Sequence, residues 1–419
     1  MDKEACLQYI IFLRYNEDMK KEQYYFFILG NNVNLSLAEL AACFEKWGSK
    51  YQLIRQDQEV AIIQIDDFTN EQFATLGGCK KYGLVNQQTE QIEIQDVTNF
   101  ILAQAKPERF NFGFSYYGFK LTESKKIGQQ FFREGLSIKK ELKTRNIKSR
   151  LVQSKQEQLS SVIVDKEKMI DQGCDLNIMK LAEKYYLGKT LAVQDYHAFS
   201  KRDYGRPKRD ARSGMLPPKL ARMMLNFAQS KEDDVLLDPF CGSGTVIMEA
   251  LVLGWQKIYG TDKSKIAIDS THQNLMWLQQ KVSFSEMPHL EILPVMELNK
   301  SFDPQSIDQI VTEPYLGPPL RSSVRRNDID NTIDELTELY ALAYRRFAEI
   351  LKPGGRVVMI WPIFVFKEQL ITLEMGRIIS ELGFVRVDHL AKFKLQDNRL
   401  IYQRPEQLVQ RRIEIWQRQ

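Results

Sequence analysis

The chain has 419 residues, of which 43% are hydrophobic, and its 58 Lys and Arg residues exceed its 54 Asp and Glu residues by a formal net charge of +4. This length allows two or three domains with cores of their own, and the composition is that of an ordinary globular protein. No apolar run approaches the roughly eighteen residues of a membrane-spanning helix, so we expect no membrane segment.

The cysteines and histidines argue against a metal site or a disulfide framework. The five cysteines are scattered and form no C-x-x-C pair, and the four histidines lie far apart in the chain. This usage favours a reducing compartment and predicts that no metal is bound. The first residues have neither the basic region nor the cleavage site of a signal peptide, so we expect a cytoplasmic protein.

Residues 1–90 have the pattern of a small α+β domain. Tyr24 to Leu29 is a β-prone run, and Ser36 with Glu39 three residues later matches a helix capping box. The expected elements are strands at 24–29, 51–54 and 60–65 and helices at 37–47 and 71–76. The order β-α-β-β-α-β is typical of a ferredoxin-like domain.

Residues 91–195 form a second α+β segment with clustered positive charge. The expected elements are strands at 110–117, 146–153, 159–164 and 187–193 and an amphipathic helix at 127–143 with Phe131, Phe132, Leu136 and Leu142 facing the core. Eleven basic residues and three acidic ones lie between Lys120 and Lys155. Such clustering is expected of a protein that binds a phosphate backbone. The candidate RNA contacts here are Lys139, Lys140, Lys143 and Arg145.

Residues 196–216 are polar, basic and rich in turn formers, which predicts a basic linker. Two interpretations remain open for this segment. It is either a flexible connector or an ordered arm that carries arginines to RNA phosphates or to the mouth of the active site. The arginines in question are Arg202, Arg206, Arg209 and Arg212.

From residue 217 onward the pattern changes to alternating helices and strands. The expected strands are 235–238, 257–261, 290–295, 307–312 and 356–361, with an antiparallel finish at 384–390 and 399–403. The expected helices are 220–228, 245–253, 264–280, 332–351 and 368–382. This alternation builds a parallel sheet with helices on both faces, and ligands bind such sheets at the carboxyl ends of the strands.

A glycine turn follows the first of these strands, in the sequence Asp238-Pro239-Phe240-Cys241-Gly242-Ser243-Gly244-Thr245. Gly242 and Gly244 would let a ligand approach the main chain closely. A dinucleotide-binding loop would need a third glycine where Ile247 stands, and a phosphate loop would need a lysine after Gly244. Asp238 would repel a pyrophosphate but suits a ligand that carries an amino or sulfonium group.

These motifs resemble a known family. The DPFCGSGT loop, a downstream acid at Asp262 and the motif Glu313-Pro314-Tyr315 resemble a Rossmann-like, S-adenosylmethionine-dependent methyltransferase that methylates amino groups. The stretch SKRDYGRPKRDARSGMLPPKLARMM, followed by LLDPFCGSGTVIMEA, closely resembles the tRNA guanosine-10 N2-methyltransferases of archaea and eukaryotes.

The resemblance implies a fold, a cofactor and a partner. The fold is α/β, a Rossmann-like class I methyltransferase domain at 217–419 whose parallel sheet ends in an antiparallel strand. A ferredoxin-like domain at 1–90 and a THUMP-like RNA-binding domain at 91–195 precede it. The implied cofactor is S-adenosylmethionine, and the implied partner is tRNA, held through the THUMP-like region. Whether a small activating subunit is needed, as in eukaryotic relatives, stays open.

The resemblance also assigns roles to residues of this chain. The cofactor would be bound by Asp238, Pro239, Phe240, Gly242, Gly244, Thr245, Asp262 and Glu297. At the catalytic motif, the Glu313 carboxylate and the Pro314 carbonyl would accept the two N–H groups of an exocyclic amine, which frees its lone pair for attack. Tyr315 would stack on a base flipped out of the tRNA.

Two departures from the family pattern keep alternatives open. The family has Asp-Pro-Pro-Tyr where this chain has Glu313-Pro314-Tyr315, and Val295 and Met296 stand where relatives place an acid. One alternative is a DNA methyltransferase that acts on the amino group of adenine or cytosine. The other is a tRNA-binding factor without catalytic activity.

Overall fold

The structure is a computed structural model that describes residues 23–209, 215–231, 233–320, 323–395, 397–404 and 407–419. The chain divides into two compact units. Within the described residues, the first comprises 23–33, 48–74 and 79–196, and the second comprises 34–47, 75–78 and 197–419.

The first unit contains a mixed β-sheet, in which some neighbouring strands are antiparallel and others are parallel. Helix α1 (Val33–Lys46) follows the first strand, and its residues from Asn34 belong to the second unit. The strands are β1 (Tyr24–Leu29), β2 (Tyr51–Gln56), β3 (Val60–Ile65), β4 (Cys79–Thr89), β5 (Arg109–Tyr117), β6 (Lys148–Leu151), β7 (Gly173–Leu181) and β8 (Lys184–Val193). The helices are α2 (Asn70–Ala74), α3 (Ile94–Ala103), α4 (Leu121–Thr144) and α5 (Ser161–Lys166).

The described strands of this unit form one continuous sheet in the order β2-β3-β1-β4-β8-β7-β5-β6. The β-α-β-β-α-β order expected for the start of the chain is confirmed. Strand β4 pairs antiparallel with β8 along most of its length. The boundary predicted near residue 90 therefore crosses a continuous sheet.

Two local predictions in this unit are wrong. The segment 159–164 is not a strand, because the Ser160 hydroxyl accepts a hydrogen bond from the Ile163 N–H and caps helix α5. In α4, Phe131 and Leu142 are buried as expected, but Phe132 and Leu136 are 38% and 43% exposed. The latter two are four residues apart and share the face that points away from the core.

The second unit alternates helices and strands. Its helices are α6 (Tyr196–Tyr204), α7 (Pro218–Phe227), α8 (Thr245–Val252), α9 (Lys265–Gln279), α10 (Arg326–Ile350) and α11 (Gly376–Glu381), with 3₁₀ helices at Val295–Lys300 and Ala391–Phe393. Its strands are β9 (Val235–Asp238), β10 (Lys257–Asp262), β11 (His289–Ile292), β12 (Ile307–Thr312), β13 (Leu351–Phe366), β14 (Gln369–Thr372), β15 (Phe384–Arg386), β16 (Ile401–Tyr402) and β17 (Val409–Arg418).

The sheet of this unit has the predicted doubly wound form. Its order is β11-β10-β9-β12-β13-β17-β15, and the first five of these strands are parallel. Strand β17 is antiparallel to β13, which confirms the antiparallel strand expected near the end of the sheet. Strand β9 lies between β10 and β12, so their carboxyl ends meet at one edge.

The end of the chain differs from the expected elements. Residues 368–382 are not one helix, because Lys367 and Glu368 both have positive φ and turn the chain back as β14 against β13. Of the expected strands 384–390 and 399–403, only Phe384–Arg386 and Ile401–Tyr402 are strands. The main closing strand is β17, which the sequence pattern did not predict.

The segment predicted as a basic linker belongs to the second unit from His197 onward. Residues 196–204 form helix α6, whose Phe199 side chain is 4% exposed. Among the described residues of the chain, no helix is long and apolar enough to cross a membrane.

The capping box predicted for α1 is also wrong, because the helix begins at Val33 and Ser36 lies inside it. The Glu39 carboxylate accepts hydrogen bonds from the N–H groups of Gly77 and Gly78 and from the Asn226 amide, at 2.7 Å each. Burial raises the pKa of Glu39 to about 7, against the effect of these donors. Glu39 therefore joins α1, residues 75–78 and α7 within the second unit.

Candidate active site

The predicted cofactor loop connects strand β9 to helix α8 at the centre of the parallel sheet. The Cys241 N–H donates to the Thr261 carbonyl at 3.0 Å, which ties the loop to the end of β10. The Gly244 N–H donates to the Cys241 carbonyl at 2.7 Å and closes a tight turn. Gly244 is the residue before α8, so the turn leads directly into the helix N-terminus.

The two loop glycines are required for different reasons. Both have positive φ, 53° at Gly242 and 82° at Gly244. A Cβ on Gly244 would lie 2.7 Å from the Thr271 methyl group, so its neighbour excludes a side chain. A Cβ on Gly242 would meet only the Phe240 carbonyl oxygen, 4.0 Å away. Open space at Gly242 is what a close-fitting ligand needs.

Asp262 closes the other side of this loop. Its carboxylate accepts hydrogen bonds from the Gly242 N–H at 3.1 Å and from the Ser264 N–H at 2.9 Å. Each oxygen has a second lone pair, so this fixed carboxylate can still accept two hydroxyl groups of a ribose. This is the position predicted for the ribose partner of the cofactor.

Asp238 is nearly inaccessible at the end of β9, with 2% of its surface exposed. Its carboxylate accepts a hydrogen bond from the Thr312 hydroxyl at 2.6 Å, and Thr312 ends the neighbouring strand β12. Burial raises the pKa of Asp238 to about 7, opposed by the Thr312 and Phe240 donors and assisted by the charges of Asp262 and Glu313.

Glu313 follows β12 and has a partner that the sequence did not reveal. Its carboxylate pairs with the guanidinium group of Arg411 on β17, with Nε and Oε1 2.5 Å apart. Burial raises the pKa of Glu313, and Arg411 opposes this rise. The two groups thus form an ion pair that is largely shielded from solvent.

Pro314 and Tyr315 differ in exposure. Pro314 is buried, whereas the Tyr315 side chain is 54% exposed. The Tyr340 hydroxyl donates to the Tyr315 carbonyl at 2.8 Å and fixes the backbone of the motif. A tyrosine ring on a fixed backbone and open to solvent is available to stack on a base.

Three predicted carboxylates therefore lie at adjacent strand ends. Asp238 and Asp262 end β9 and β10, and Glu313 follows β12. The charges of Asp262 and Glu313 both raise the pKa of Asp238, which reflects their proximity. A site with this charge favours a cationic ligand. S-adenosylmethionine carries such a charge on sulfur, so the residues present fit this cofactor.

The remaining residues predicted to bind the cofactor are buried or interact with other side chains of the protein. Pro239 is buried, and Phe240 packs against the hydrophobic core beneath α10. Thr245 is buried and its hydroxyl accepts a hydrogen bond from Arg206. Glu297 lies in a 3₁₀ helix and pairs with Lys300 at 2.9 Å. Its role toward the cofactor stays a prediction.

Arg202 and Arg206 do not present their charges to RNA, contrary to the sequence interpretation. Arg202 is 7% exposed and pairs with the buried Glu249 of α8. Arg206 is 3% exposed and donates to the Thr245 hydroxyl at 2.7 Å. Both guanidinium groups contact side chains of α8, the helix that follows the cofactor loop, so they stabilise the position of this loop.

Asn274 of α9 completes this support, although no sequence pattern predicts it. Its amide donates to the Ser243 carbonyl at 2.8 Å and to the Lys208 carbonyl at 3.0 Å, while its oxygen accepts from the Lys208 N–H. The segment after α6 is thereby fastened to the glycine turn. Asparagine within a helix carries no sequence signal for such a role.

The other predicted RNA contacts are exposed. Lys139, Lys140, Lys143 and Arg145 lie exposed on the last turns of α4 and just beyond, near the exposed Phe132 and Leu136 of the same helix. Arg209 is exposed and lies over the Tyr204 ring at 5.0 Å. Arg212 lies outside the described residues. In the described part of the chain, no group of three or more His, Cys, Asp or Glu side chains could hold a metal ion.

Comparison with known proteins places the chain among methyltransferases. A family model described as an RMKL-like methyltransferase domain matches residues 206–363, and a model described as DNA methylase matches residues 27–273. The crystal structure of TrmN from Thermus thermophilus superposes over 95% of this chain and 100% of that chain, with a TM-score of 0.54 and 16% identity. This likeness shows the fold, that of a Rossmann-like class I methyltransferase.

Curated relatives are tRNA-modifying enzymes. The tRNA (guanine(10)-N2)-dimethyltransferase of Methanocaldococcus jannaschii is 28% identical over 45% of this chain and 49% of that protein. The protein of the same name from Methanothermobacter thermautotrophicus is 28% identical over 45% of this chain and 51% of its own length. The tRNA (guanine(6)-N(2))-methyltransferase THUMP3 of Mus musculus is 26% identical over 34% of this chain and 27% of its own length.

The chain spans about half the length of the first two of these relatives. The DNA methylase model covers more than half of the chain. The chain therefore belongs to the DNA methylase family that this model describes.

Proposed function

We propose that this protein transfers a methyl group from S-adenosylmethionine to the exocyclic N2 amine of a guanosine in tRNA, at position ten. The observation that carries this proposal is the group of carboxylates at the strand ends, with the exposed Tyr315 beside them. The names of the relatives support tRNA as the substrate. Scattered cysteines without a C-x-x-C pair are typical of a reducing compartment, and the cytoplasm is the location we propose.

When bound, S-adenosylmethionine supplies a methyl group on a positively charged sulfur that leaves as a neutral thioether. Gly242 and the N-terminus of α8 would accommodate its polar end, and Asp262 would accept hydrogen bonds from its ribose. Asp238 would face its positive charge.

The amine of guanine is a poor nucleophile because its lone pair is delocalised into the ring. The Glu313 carboxylate and the Pro314 carbonyl would accept its two N–H groups and localise the lone pair on nitrogen. Glu313 would also stabilise the positive charge that develops there and take up the released proton. Tyr315 would stack on the base, a contact typically worth about 1–3 kcal/mol.

Binding of S-adenosylmethionine is expected to strengthen as the pH rises through about 7, because Asp238, whose pKa burial raises to about 7, becomes an anion facing the cation. The pKa is raised above that of a free aspartate, so the charge is absent below this range. Calorimetric titrations between pH 6 and 8 measure the effect, and the Asp238→Asn variant should show a flat profile. An equally steep profile in that variant contradicts the role of Asp238.

The exposed basic end of α4 is the surface we propose for the tRNA backbone. The double variant Lys139→Ala/Lys140→Ala is expected to lower tRNA affinity and the slope of log affinity against log salt, since each lost phosphate contact removes about 0.7–0.9 from that slope. The control Lys166→Ala/Lys168→Ala removes the same charge from exposed positions outside α4. An equal loss in both variants contradicts a specific role for α4.

Nucleoside mass spectrometry of tRNA, after incubation with the protein and the methyl donor, tests the proposal directly. N2-methylated guanosine that maps to position ten is the expected product. The DNA methylase family model makes duplex DNA the necessary second substrate in this assay. Methylated adenine or cytosine in DNA, with unmodified tRNA, would establish the alternative activity. Binding of tRNA without any methylated product would identify a non-catalytic binding factor.

A further inference from the structure

Arg411 and Glu313 are 98 residues apart in the chain and meet across strand β13. Strand β13 pairs with β12, which carries Glu313 at its end, and with β17, on which Arg411 stands opposite Pro362. The side chains are 7% and 16% exposed, so water screens their attraction only weakly. The contact therefore reaches from the last long strand into the catalytic motif.

We propose that Arg411 is a positioning residue that holds the Glu313 carboxylate, in its ionised form, at the place where the substrate amine binds. This inference rests on the proposed methyl transfer. Arg411 acts through Glu313 and is not proposed to touch the base or the donor. No sequence pattern around Arg411 or Glu313 suggests the pairing.

The length of the glutamate side chain makes a positioning partner necessary. Glutamate has one rotatable bond more than aspartate, so its carboxylate can occupy more positions unless another residue holds it. A buried ion pair with a guanidinium group, whose donors form a rigid fork, removes this freedom. Each carboxylate oxygen has two lone pairs, so the pair with Arg411 still leaves Glu313 able to accept an N–H group of the substrate.

Among the described residues, titratable groups on three elements interact with the charge of Glu313. Arg411 on β17 stabilises its anionic form, whereas Asp238 on β9 repels it, and Tyr340 on α10 is affected by its charge in turn. Burial already raises the pKa of Glu313, and Arg411 is the group that limits the rise. Loss of Arg411 should therefore raise the pKa of Glu313 further. In a plot of kcat against pH, the fall in rate on the acidic side should then occur at higher pH.

The Arg411→Gln variant is expected to lower kcat at neutral pH by about tenfold or more. A positioned acid–base group contributes about 10²–10⁴-fold to the rate, and loss of its positioning partner should remove part of this contribution. KM for donor and tRNA should change little, the fall in kcat on the acidic side should move to higher pH, and Arg411→Lys should restore part of kcat. Arg412→Gln is the matched control on the same strand, because Arg412 pairs with Glu414 instead. An unchanged kcat and pH profile in Arg411→Gln, or a raised kcat, would overturn the proposal.

A double-mutant cycle separates this inference from the proposed substrate. The free energies of unfolding of Glu313→Gln, Arg411→Gln and the double variant, without substrate or donor, measure the coupling of the pair. The five tryptophans all belong to the second unit, so their fluorescence follows the unfolding of this unit. A coupling indistinguishable from zero would overturn the inference whatever the substrate is. If the protein methylates a nucleic acid other than tRNA, the pH dependence of kcat for the Arg411 and Arg412 variants is measured with that substrate.

Discussion

Replacement of Glu313 by glutamine is expected to lower kcat by about 10²–10⁴-fold and to leave the affinity for S-adenosylmethionine nearly unchanged. Glutamine keeps the size of the side chain and one oxygen acceptor, but it loses the negative charge. The charge is needed because positive charge develops on the attacking nitrogen, and because the released proton needs an acceptor. Methyl transfer from labelled donor measures kcat, and calorimetry measures donor affinity.

The glutamine variant has a second consequence that must be controlled. It removes the carboxylate charge that faces the buried guanidinium group of Arg411, which by itself destabilises the site. The double variant Glu313→Gln/Arg411→Gln removes both charges of the ion pair, and kcat should remain low in it. Glu381→Gln removes an exposed glutamate, 64% exposed and paired with Arg377, and serves as the surface control. Near-normal kcat in the double variant would contradict a catalytic role for the Glu313 carboxylate.

The cofactor loop could be predicted because its signals are local. Strand β9 has the predicted bounds, and Asp262 touches the glycine turn as its position after the next strand suggested. Parallel strands bring their carboxyl ends together, so residues that follow adjacent strands converge without any knowledge of distant contacts. The sequence also predicted the loop glycines, although the reason for Gly244 is the Thr271 side chain behind it.

The partners of the site could not be predicted, because they come from distant parts of the chain. Arg411 stands on a strand whose alternating charged and apolar residues gave no recognisable signal, and it reaches Glu313 only because β17 is placed beside β13. The arginines after residue 200 illustrate the same limit. Clustered charge predicts a solvent-exposed, RNA-binding segment, but one buried acid, Glu249, is enough to turn Arg202 inward.

Local patterns also fail where a distant partner competes for the same group. Ser36 and Glu39 have the spacing of a capping box, yet the Glu39 carboxylate is used by the N–H groups of Gly77 and Gly78. Buried N–H groups need acceptors, and a carboxylate that satisfies two of them and an amide contributes more there than at a helix end. The helix then begins three residues earlier than its apparent cap.

The Glu249→Ala variant is expected to destabilise the second unit by about 3–5 kcal/mol, the cost of removing one partner from a buried ion pair. Glu249 is fully buried in α8 and accepts from Arg202 at 2.5 Å and from Arg222 at 2.7 Å. The Phe199 ring covers both guanidinium groups, at 4.8 and 4.7 Å from its centroid. Alanine would remove the carboxylate that these two buried guanidinium groups share.

Urea unfolding followed by tryptophan fluorescence measures this loss, since all five tryptophans lie in the second unit. Asp269→Ala is the matched control, because Asp269 pairs with Lys265 four residues away on the exposed face of α9 and should cost no more than about 1 kcal/mol. An equal loss of unfolding free energy in the two variants would contradict a stabilising role for the buried ion pairs of Glu249. Because Glu249 belongs to the helix that begins at the glycine turn, its loss should also weaken binding of S-adenosylmethionine, and the Asp269 variant should not. A stable Glu249→Ala protein with normal donor affinity would show that α6 and α7 do not hold the cofactor loop in place.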